Sequence, residues 1–216
     1  MTLATHIREA SKMAYGDVLL GARMVLVGLV AALLHDHSGV PGKVEPGLSE
    51  RITLMAGFLH GIGATEDLIS EGQYIKAAAA LKQDLEILAR LREVQEGNHR
   101  AGRVPNVRAV PGAGRLYGAL NDVAHPSNPR LLELLMERRA VTDAAAGVSP
   151  LPTFVPRTAV ELYEVHVWSL LMMSRELATL VQELYPEERA LSNEWVTTWA
   201  SQAARLEEAG HISTKS

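Results

Sequence analysis

The sequence predicts an all-α protein, an antiparallel bundle of about seven helices formed by a single domain over residues 1–216. Apolar residues recur at helical spacing along most of the chain, and no segment shows the alternation of a convincing β-strand. Aromatic residues make up only 5% of the chain, which argues against a β-sandwich and against a nucleic-acid stacking platform. Hydrophobic residues make up 47%, which is enough for a sizeable core.

Composition removes several classes of site and partner. The formal net charge of −4 excludes a globally basic DNA-coating protein, although it allows a local basic patch. The chain has no cysteine, so disulfides, iron–sulfur clusters, thiolate zinc sites and cysteine nucleophiles are excluded together. Residues 1–10 contain His6, Arg8 and Glu9 and no apolar stretch of a secretory signal, so we expect a cytoplasmic protein.

The N-terminal helix is predicted over residues 3–35. Between residues 18 and 34 it is apolar almost all round, which predicts a central, buried position in the bundle. The same stretch is near the lower length limit for a membrane span, but Arg23 lies inside it. A central arginine costs about 2.5–3.5 kcal/mol on membrane insertion, so a buried core helix is the preferred interpretation and no membrane partner is expected.

The core of the domain is predicted over residues 49–185 and begins with two helices. Ser49 fits the N-cap of the first helix, Gly72 separates the two, and Gly97 is expected to end the second. The first helix carries an apolar stripe of Ile52, Met55, Leu59, Ile62 and Ile69, and the second one of Tyr74, Ala78, Leu81, Leu85 and Leu88.

The clearest helical pattern lies between Pro156 and Pro186. Its heptad stripe consists of Val160, Tyr163, Val167, Leu170, Ser174, Leu177, Val181 and Leu184. The last helix is predicted over residues 187–208, with Trp195 and Trp199 on one face.

Shorter helices and loops lie before that pattern. A helix over residues 115–124 should stop near His125, because the residue before a proline is pushed out of the helical region. Asn128-Pro129 then resembles a helix start, with Leu131, Leu132, Leu134 and Leu135 on the buried face. Loops are expected over residues 36–47, 98–114 and 141–156, and the last of them contains three prolines.

A basic segment stands out in an otherwise acidic chain. Residues 98–115, here called the arginine segment, contain no acidic residue and four arginines, namely Arg100, Arg103, Arg108 and Arg115. Guanidinium groups bind phosphate oxygens through paired hydrogen bonds, so the segment predicts a phosphate or RNA site. The alternative is a solvated loop that neutralises an acidic neighbour.

A candidate catalytic cluster follows the arginine segment. Tyr117, Asn121, Asp122 and His125 fall near one side of a helix end, and His125 lies where Pro126 breaks the chain. Its ring could project into a groove and be oriented by Asn121 or Asp122 one turn earlier. The alternative is a structural histidine that bonds to the helix terminus.

The stretch Asn121-Asp-Val-Ala-His-Pro-Ser127 resembles the HEPN superfamily, all-α domains of prokaryotic toxins, defence proteins and RNA-processing factors. More closely, it is similar to HEPN-like bacterial proteins with a Tyr…His-Pro-Ser motif, which also carry an arginine and a glutamate three apart on an earlier helix. Here Glu86 matches that glutamate, whereas Gln83 stands at the arginine position beside Lys82. The resemblance spans residues 52–136.

The resemblance implies a helical protein that interacts with RNA or a nucleotide, in bacterial defence or stress, and that pairs as a homodimer. In a ribonuclease of this kind His125 would act as general acid or base, Asn121 and Asp122 would orient it, and the four arginines would hold phosphate. Tyr117 and Glu86 would support the site. Leu120 stands where such nucleases have an arginine, so a degenerate, non-cleaving domain fits equally well.

Two other functions remain open. The HEPN-like interpretation implies no cofactor. The His35-Asp36 pair at the end of an apolar helix resembles instead the signature of HD phosphohydrolases, which would use a divalent metal. His6, His35, Asp36 and Asp84 would then be the ligands, with His60 as a further candidate. A solvated helix end is the structural alternative for the pair. The third function is a non-catalytic adaptor that presents helix faces to a partner protein.

Overall fold

The computed structural model of the chain describes residues 2–38, 47–124, 133, 135–136, 138–142, 145–185 and 191–212. Within these ranges the chain forms six α-helices, so the all-α class is confirmed with one helix fewer than the seven expected. The predicted helix after Asn128-Pro129 falls largely outside the described residues. The helices are α1 (Leu3–Asp36), α2 (Leu48–Ser70), α3 (Tyr74–Gln95), α4 (Ala113–Ala124), α5 (Pro156–Leu184) and α6 (Asn193–Glu208).

The central element of the bundle is α5. Of its 29 residues 20 are buried, and the predicted heptad stripe from Tyr163 to Leu184 lies in the core. Helices α1, α2 and α3 all pack against α5, while α4 packs on α3 and α6 packs on α1. The sequence-based expectation that the N-terminal helix is central is therefore wrong, because α5 occupies that position.

Helix α1 lies at the side of the bundle and runs in the same direction as α5. The rings of Tyr15 and Tyr163 stack at a centroid distance of 3.8 Å near one end, and the Tyr185 hydroxyl donates to the His37 carbonyl at 3.1 Å near the other. One stripe of α1 is buried, while Met24 on the outer side is 67% exposed. By length and composition alone, α1 is also a helix that could cross a membrane.

Glycines end α2 and α3 as the sequence predicts. Gly72 and Gly97 follow the two helices with φ of 75° and 67°, a left-handed conformation that favours glycine. The start of α2 differs from the prediction, because the helix begins at Leu48 after Gly47 and Ser49 lies inside it.

The C-terminal helix begins later than predicted, at Asn193 instead of residue 187. The Ser192 hydroxyl accepts a hydrogen bond from the Trp195 backbone N–H at 3.0 Å and so caps the helix there. The Trp195 indole N–H donates to the Leu29 carbonyl of α1 at 3.2 Å, and that of Trp199 donates to the Ser174 hydroxyl of α5 at 3.0 Å. These bonds fix α6 against both neighbours.

One short β-hairpin interrupts the helical architecture. Strands β1 (Arg138–Thr142) and β2 (Ala145–Val148) pair antiparallel, with an irregularity in register after Ala140. The prolines and small residues of the sequence predict a loop for most of this region, and that prediction is wrong. The hairpin lies between α4 and α5 in the chain and leaves the helical class unchanged.

Candidate functional site

Helix α4 brings Tyr117 against α3. The Tyr117 hydroxyl donates to Glu86 Oε1 at 2.7 Å, and Lys82 Nζ lies 3.7 Å from the same oxygen and 5.6 Å from the centre of the Tyr117 ring. Burial and the adjacent Glu86 carboxylate raise the pKa of Tyr117 to about 12, so the phenol stays a hydrogen-bond donor at neutral pH. Two residues named by the HEPN resemblance thus meet in one cluster with Lys82.

The remaining members of the predicted catalytic cluster are only partly described. Asn121 lies one helical turn after Tyr117 and is half-buried, whereas Asp122 is exposed. His125 lies outside the described residues, so its predicted role as general acid or base stays a prediction. Leu120, at the position where the nucleases have an arginine, is buried and packs into the core.

The backbone of the arginine segment is tied to the C-terminal half of α3. Arg90 Nη1 donates to the Arg100 carbonyl at 3.2 Å, and Arg90 Nη2 donates to the Arg103 carbonyl. Glu93, which pairs with Arg90 at 2.8 Å, accepts the Asn106 backbone N–H at 2.8 Å. Side chains of α3 therefore fix the course of the segment.

The second half of the segment is anchored in the core. A short 3₁₀ helix (Val107–Ala109) begins at the buried Val107 and is followed directly by the buried Val110. Arg92 Nη1 donates to the Ala109 carbonyl at 2.9 Å, and Arg92 Nη2 lies 3.5 Å from Glu176 Oε1 of α5. Glycine and proline in the sequence suggest a mobile loop, but these contacts hold the backbone at defined points.

The four predicted phosphate-binding arginines all have exposed side chains. None of their guanidinium groups forms an ion pair with another residue in the described part of the chain. Arg115 lies in the first turn of α4 and not in the preceding loop. Arg100 and Arg103 line a cavity of about 350 Å³ with Arg90 and Glu93.

A larger cavity of about 680 Å³ lies between α3, α4, α5 and the residues after α6. Its wall is mainly apolar and includes Leu116, Leu120 and Trp168, and Arg115 supplies a cation at its edge. A largely apolar cavity with a few polar groups is the usual form of a small-molecule site.

The acidic side chains at this cavity already have partners. His211 Nδ1 lies 2.8 Å from Glu164 Oε1, and Arg157 Nε lies 2.7 Å from Glu161 Oε1. Arg115 also lines the cavity, and its charge has no counter-ion among the described residues.

The alternative metal ligands do not meet. His6 lies in the first turns of α1, near the segment in which Arg8 pairs with Glu71 of α2. His35 and Asp36 form the exposed last turn of the same helix, and Asp84 is buried in the middle of α3. Within the described ranges no group of three or more His, Asp or Glu side chains could hold a metal ion.

Sequence reasoning missed the residues that hold the site in place. In the sequence, three of them look like ordinary charged residues of a helix: Arg90, Arg92 and Glu93. They hold the arginine segment only because the chain folds back along α3. The one feature of the sequence that indicates this role is their position directly before the segment. Trp168 lies inside the helix predicted after Pro156 but outside its heptad stripe, and nothing in the local sequence marks it as lining a cavity.

Comparison of the chain with protein-family models, with curated proteins and with solved structures finds no match.

Proposed function

We propose that this protein binds a phosphate-bearing ligand, RNA or a nucleotide, along the arginine segment and at the mouth of the large cavity. One observation carries the proposal: Arg100, Arg103, Arg108 and Arg115 are exposed and have no carboxylate partner among the described residues. Guanidinium groups bind phosphate oxygens in pairs of parallel hydrogen bonds. In an acidic chain, such a cluster attracts anions to one place.

The anchoring of the segment supports this function. Arg90, Glu93 and Arg92 already hold its backbone through hydrogen bonds, so binding would order mainly the arginine side chains. A site that is organised before binding loses less conformational entropy when the ligand arrives. The same three residues do not themselves need to touch the ligand.

The cavity supplies an apolar neighbour for the phosphate groups. Arg115 borders it, and Trp168 and Leu116 lie in its wall. A ligand with a phosphate on Arg115 could place a nucleobase or another flat apolar group in the cavity. This arrangement suits a nucleotide or the end of an RNA strand.

Binding of the ligand does not require that the protein also cleaves RNA. Leu120 is buried and apolar at the position that would need an arginine to stabilise phosphate charge. If the protein cleaves RNA, His125 would act as general acid or base, with Asn121 and Asp122 as orienting groups. Incubation of RNA with the protein in EDTA, with His125→Ala for comparison, addresses this question directly.

The test of binding uses fluorescence anisotropy with a short labelled single-stranded RNA and competition by unlabelled nucleotides. The main variant replaces Arg100, Arg103, Arg108 and Arg115 with Gln together. Arg205→Gln is the matched control, because it removes an exposed arginine of α6 that lines neither cavity. Circular dichroism checks that each variant keeps the helical fold.

We expect the fourfold variant to lose at least tenfold in affinity, while the Arg205→Gln control binds like the wild type. The logarithm of affinity should fall linearly with the logarithm of salt concentration, and the variant should lower that slope by about 3, since each phosphate contact contributes about 0.7 on a single strand. Equal affinities of the wild type and the fourfold variant would refute the proposal, as would binding that does not change with salt.

A further inference from the structure

The large cavity contains a carboxylate as well as a cation. Glu164 lines it from α5, and Arg115 lines it from α4. Glu164 Oε1 lies 2.8 Å from His211 Nδ1, and this is the one polar contact of the carboxylate among the described residues. Because a carboxylate can accept about four hydrogen bonds through its two oxygens, Glu164 keeps most of its capacity for a ligand.

The position of Glu164 is fixed by the chain that follows α6. Gly210, with φ of 77°, ends that helix, and the His211 backbone N–H donates to the Leu206 carbonyl at 2.9 Å. The turn brings the His211 ring against Glu164, and the two side chains are only 21% and 28% exposed. The carboxylate is therefore held in place before a ligand arrives, which lowers the entropy lost on binding.

Glu164 and Arg115 lie apart in the cavity. Among the ion pairs of the described residues none joins the two, and the wall around them is mainly apolar, with Leu116, Leu162 and Val165. The cavity of about 680 Å³ has the usual size of a small-molecule site. A ligand that satisfies it carries an anion at one end, N–H donors at the other, and an apolar body between them. An amino-bearing nucleotide has this distribution.

Trp168 lies beside the carboxylate. It follows Glu164 by four residues on α5, so the two share one face of the helix, and both line the cavity. Proteins that recognise single nucleotides stack the base on an aromatic side chain and read its Watson–Crick edge through hydrogen bonds. A base that packs against Trp168 turns an edge towards Glu164.

The edge of guanine is the one that matches a carboxylate. Guanine presents two adjacent donors, the ring N1–H and the 2-amino group, and these pair with two carboxylate oxygens as a guanidinium group does. Adenine and cytosine present one amino donor beside a ring nitrogen that accepts, and uracil presents one N–H between two carbonyls. In each of these three bases an acceptor would face the carboxylate oxygens, which repel it.

We infer that the large cavity is a guanine nucleotide site in which Glu164 selects the base. The phosphate binds Arg115, the base packs against Trp168, and the N1–H and 2-amino groups donate to the Glu164 carboxylate. His211 is a positioning residue, because it contacts Glu164 and not the base. The inference rests on the proposed function, which supplies the contact between arginine and phosphate.

Isothermal titration calorimetry of the full chain with guanosine, inosine, adenosine and cytidine monophosphates tests this inference. Inosine monophosphate is the matched ligand, because its base keeps the N1–H and lacks the 2-amino group. The variant is Glu164→Gln, whose amide oxygen can still accept from His211 while its NH₂ group opposes the donors of guanine. Glu194→Gln is the matched control, because it removes an exposed carboxylate of α6 that lines neither cavity. Circular dichroism checks the fold.

We expect the wild type to bind guanosine monophosphate about tenfold more tightly than each of the other three nucleotides, as is usual for a two-bond contact with a base. Glu164→Gln should lose about tenfold in affinity for guanosine monophosphate and its preference over inosine monophosphate. Glu194→Gln should keep both. The comparison of ligands on the wild type needs no variant, so it remains decisive if Glu164→Gln does not fold.

Equal affinities of the wild type for guanosine and adenosine monophosphates would overturn the inference, and so would a Glu164→Gln variant that still prefers guanine. Both results leave phosphate binding by the arginines intact. Absence of binding by all the nucleotides would also overturn it, and the RNA titration then shows whether the proposed function fails as well. That function stands if the fourfold arginine variant weakens RNA binding, and it fails if the variant binds RNA like the wild type.

Discussion

Tyr117 of α4 and Glu86 of α3 are joined by a 2.7 Å hydrogen bond, which fixes α4 beside the arginine segment. Tyr117→Phe removes the bond and keeps the ring, so we expect the free energy of unfolding to fall by about 1 kcal/mol. Glu86→Gln keeps an acceptor and should cost less. Urea unfolding of both variants measures the difference, and a Tyr117→Phe variant as stable as the wild type would show that the bond is not needed to hold α4.

Local patterns predicted the helices that face the core because burial on one side of a helix repeats every three to four residues. The stripe of α3, from Tyr74 to Leu88, and that of α5, from Tyr163 to Leu184, are buried as expected. The same reasoning failed to identify the central helix. Hydropathy does not distinguish a helix that is buried on all sides from one whose outer side is apolar and exposed. In addition, α5 carries buried polar residues that lower its hydropathy. One of them is Ser174, whose hydroxyl donates to the Leu171 carbonyl at 2.8 Å.

The candidate site was predictable in part. The four arginines and Tyr117 could be proposed from the sequence alone, because the binding chemistry of guanidinium and phenol groups is known from the residue type. Which of the residues meet depends on contacts between distant parts of the chain, and these brought Tyr117 to Glu86 but left His6 and His35 at opposite ends of α1. Local spacing carries no information on such contacts.

The glycine that separates α2 from α3 should tolerate no side chain. A Cβ on Gly72 would lie 2.5 Å from the Thr153 carbonyl oxygen, and the φ of 75° is itself unfavourable for other residues. We expect Gly72→Ala to lower the free energy of unfolding by about 3 kcal/mol or more. Gly97→Ala is the matched control, because Gly97 has a similar φ but no atom near the added methyl, and about 1 kcal/mol is expected there. Equal losses in thermal unfolding would show that the contact with Thr153 is unimportant.

A partly buried ion pair joins the start of α2 to the end of α5. The Arg51 guanidinium, of which 5% is exposed, donates to Glu183. Arg51→Met should lower the free energy of unfolding by about 2 kcal/mol, because it removes a hydrogen bond between charged groups. The loss stays below that of a fully buried pair, since Glu183 is 31% exposed and keeps the hydrogen bond from Gln95. The Arg157→Gln variant of the exposed pair with Glu161 should cost less than about 1 kcal/mol. Urea unfolding compares the two, and the prediction fails if both substitutions cost the same.

Asp84 should make the protein less stable as the pH rises. Its side chain is buried and forms no hydrogen bond or ion pair with the residues that the structure describes, and burial raises its pKa from 3.8 to about 7. Between these two values the folded state binds more protons than the unfolded state, so this contribution is present below pH 3.8 and is lost as the pH rises to 7. The full change is on the order of 4 kcal/mol. Asp84→Asn should gain stability relative to the wild type from pH 4 to pH 8 in urea unfolding, and a constant difference would contradict the raised pKa.

His166 of α5 should act in the opposite direction. Its ring is 1% exposed, neither nitrogen has a hydrogen-bond partner among the described residues, and burial together with Arg23 lowers its pKa from 6.5 to about 4. Between pH 6.5 and pH 4 the unfolded state therefore binds the additional proton, and the folded state loses about 3 kcal/mol as the pH falls. His166→Leu removes both the titration and two unpaired nitrogens. Its advantage over the wild type should grow steadily below pH 6.5 in urea unfolding, whereas an advantage that shrinks on acidification would mean that the buried imidazole is protonated in the folded protein.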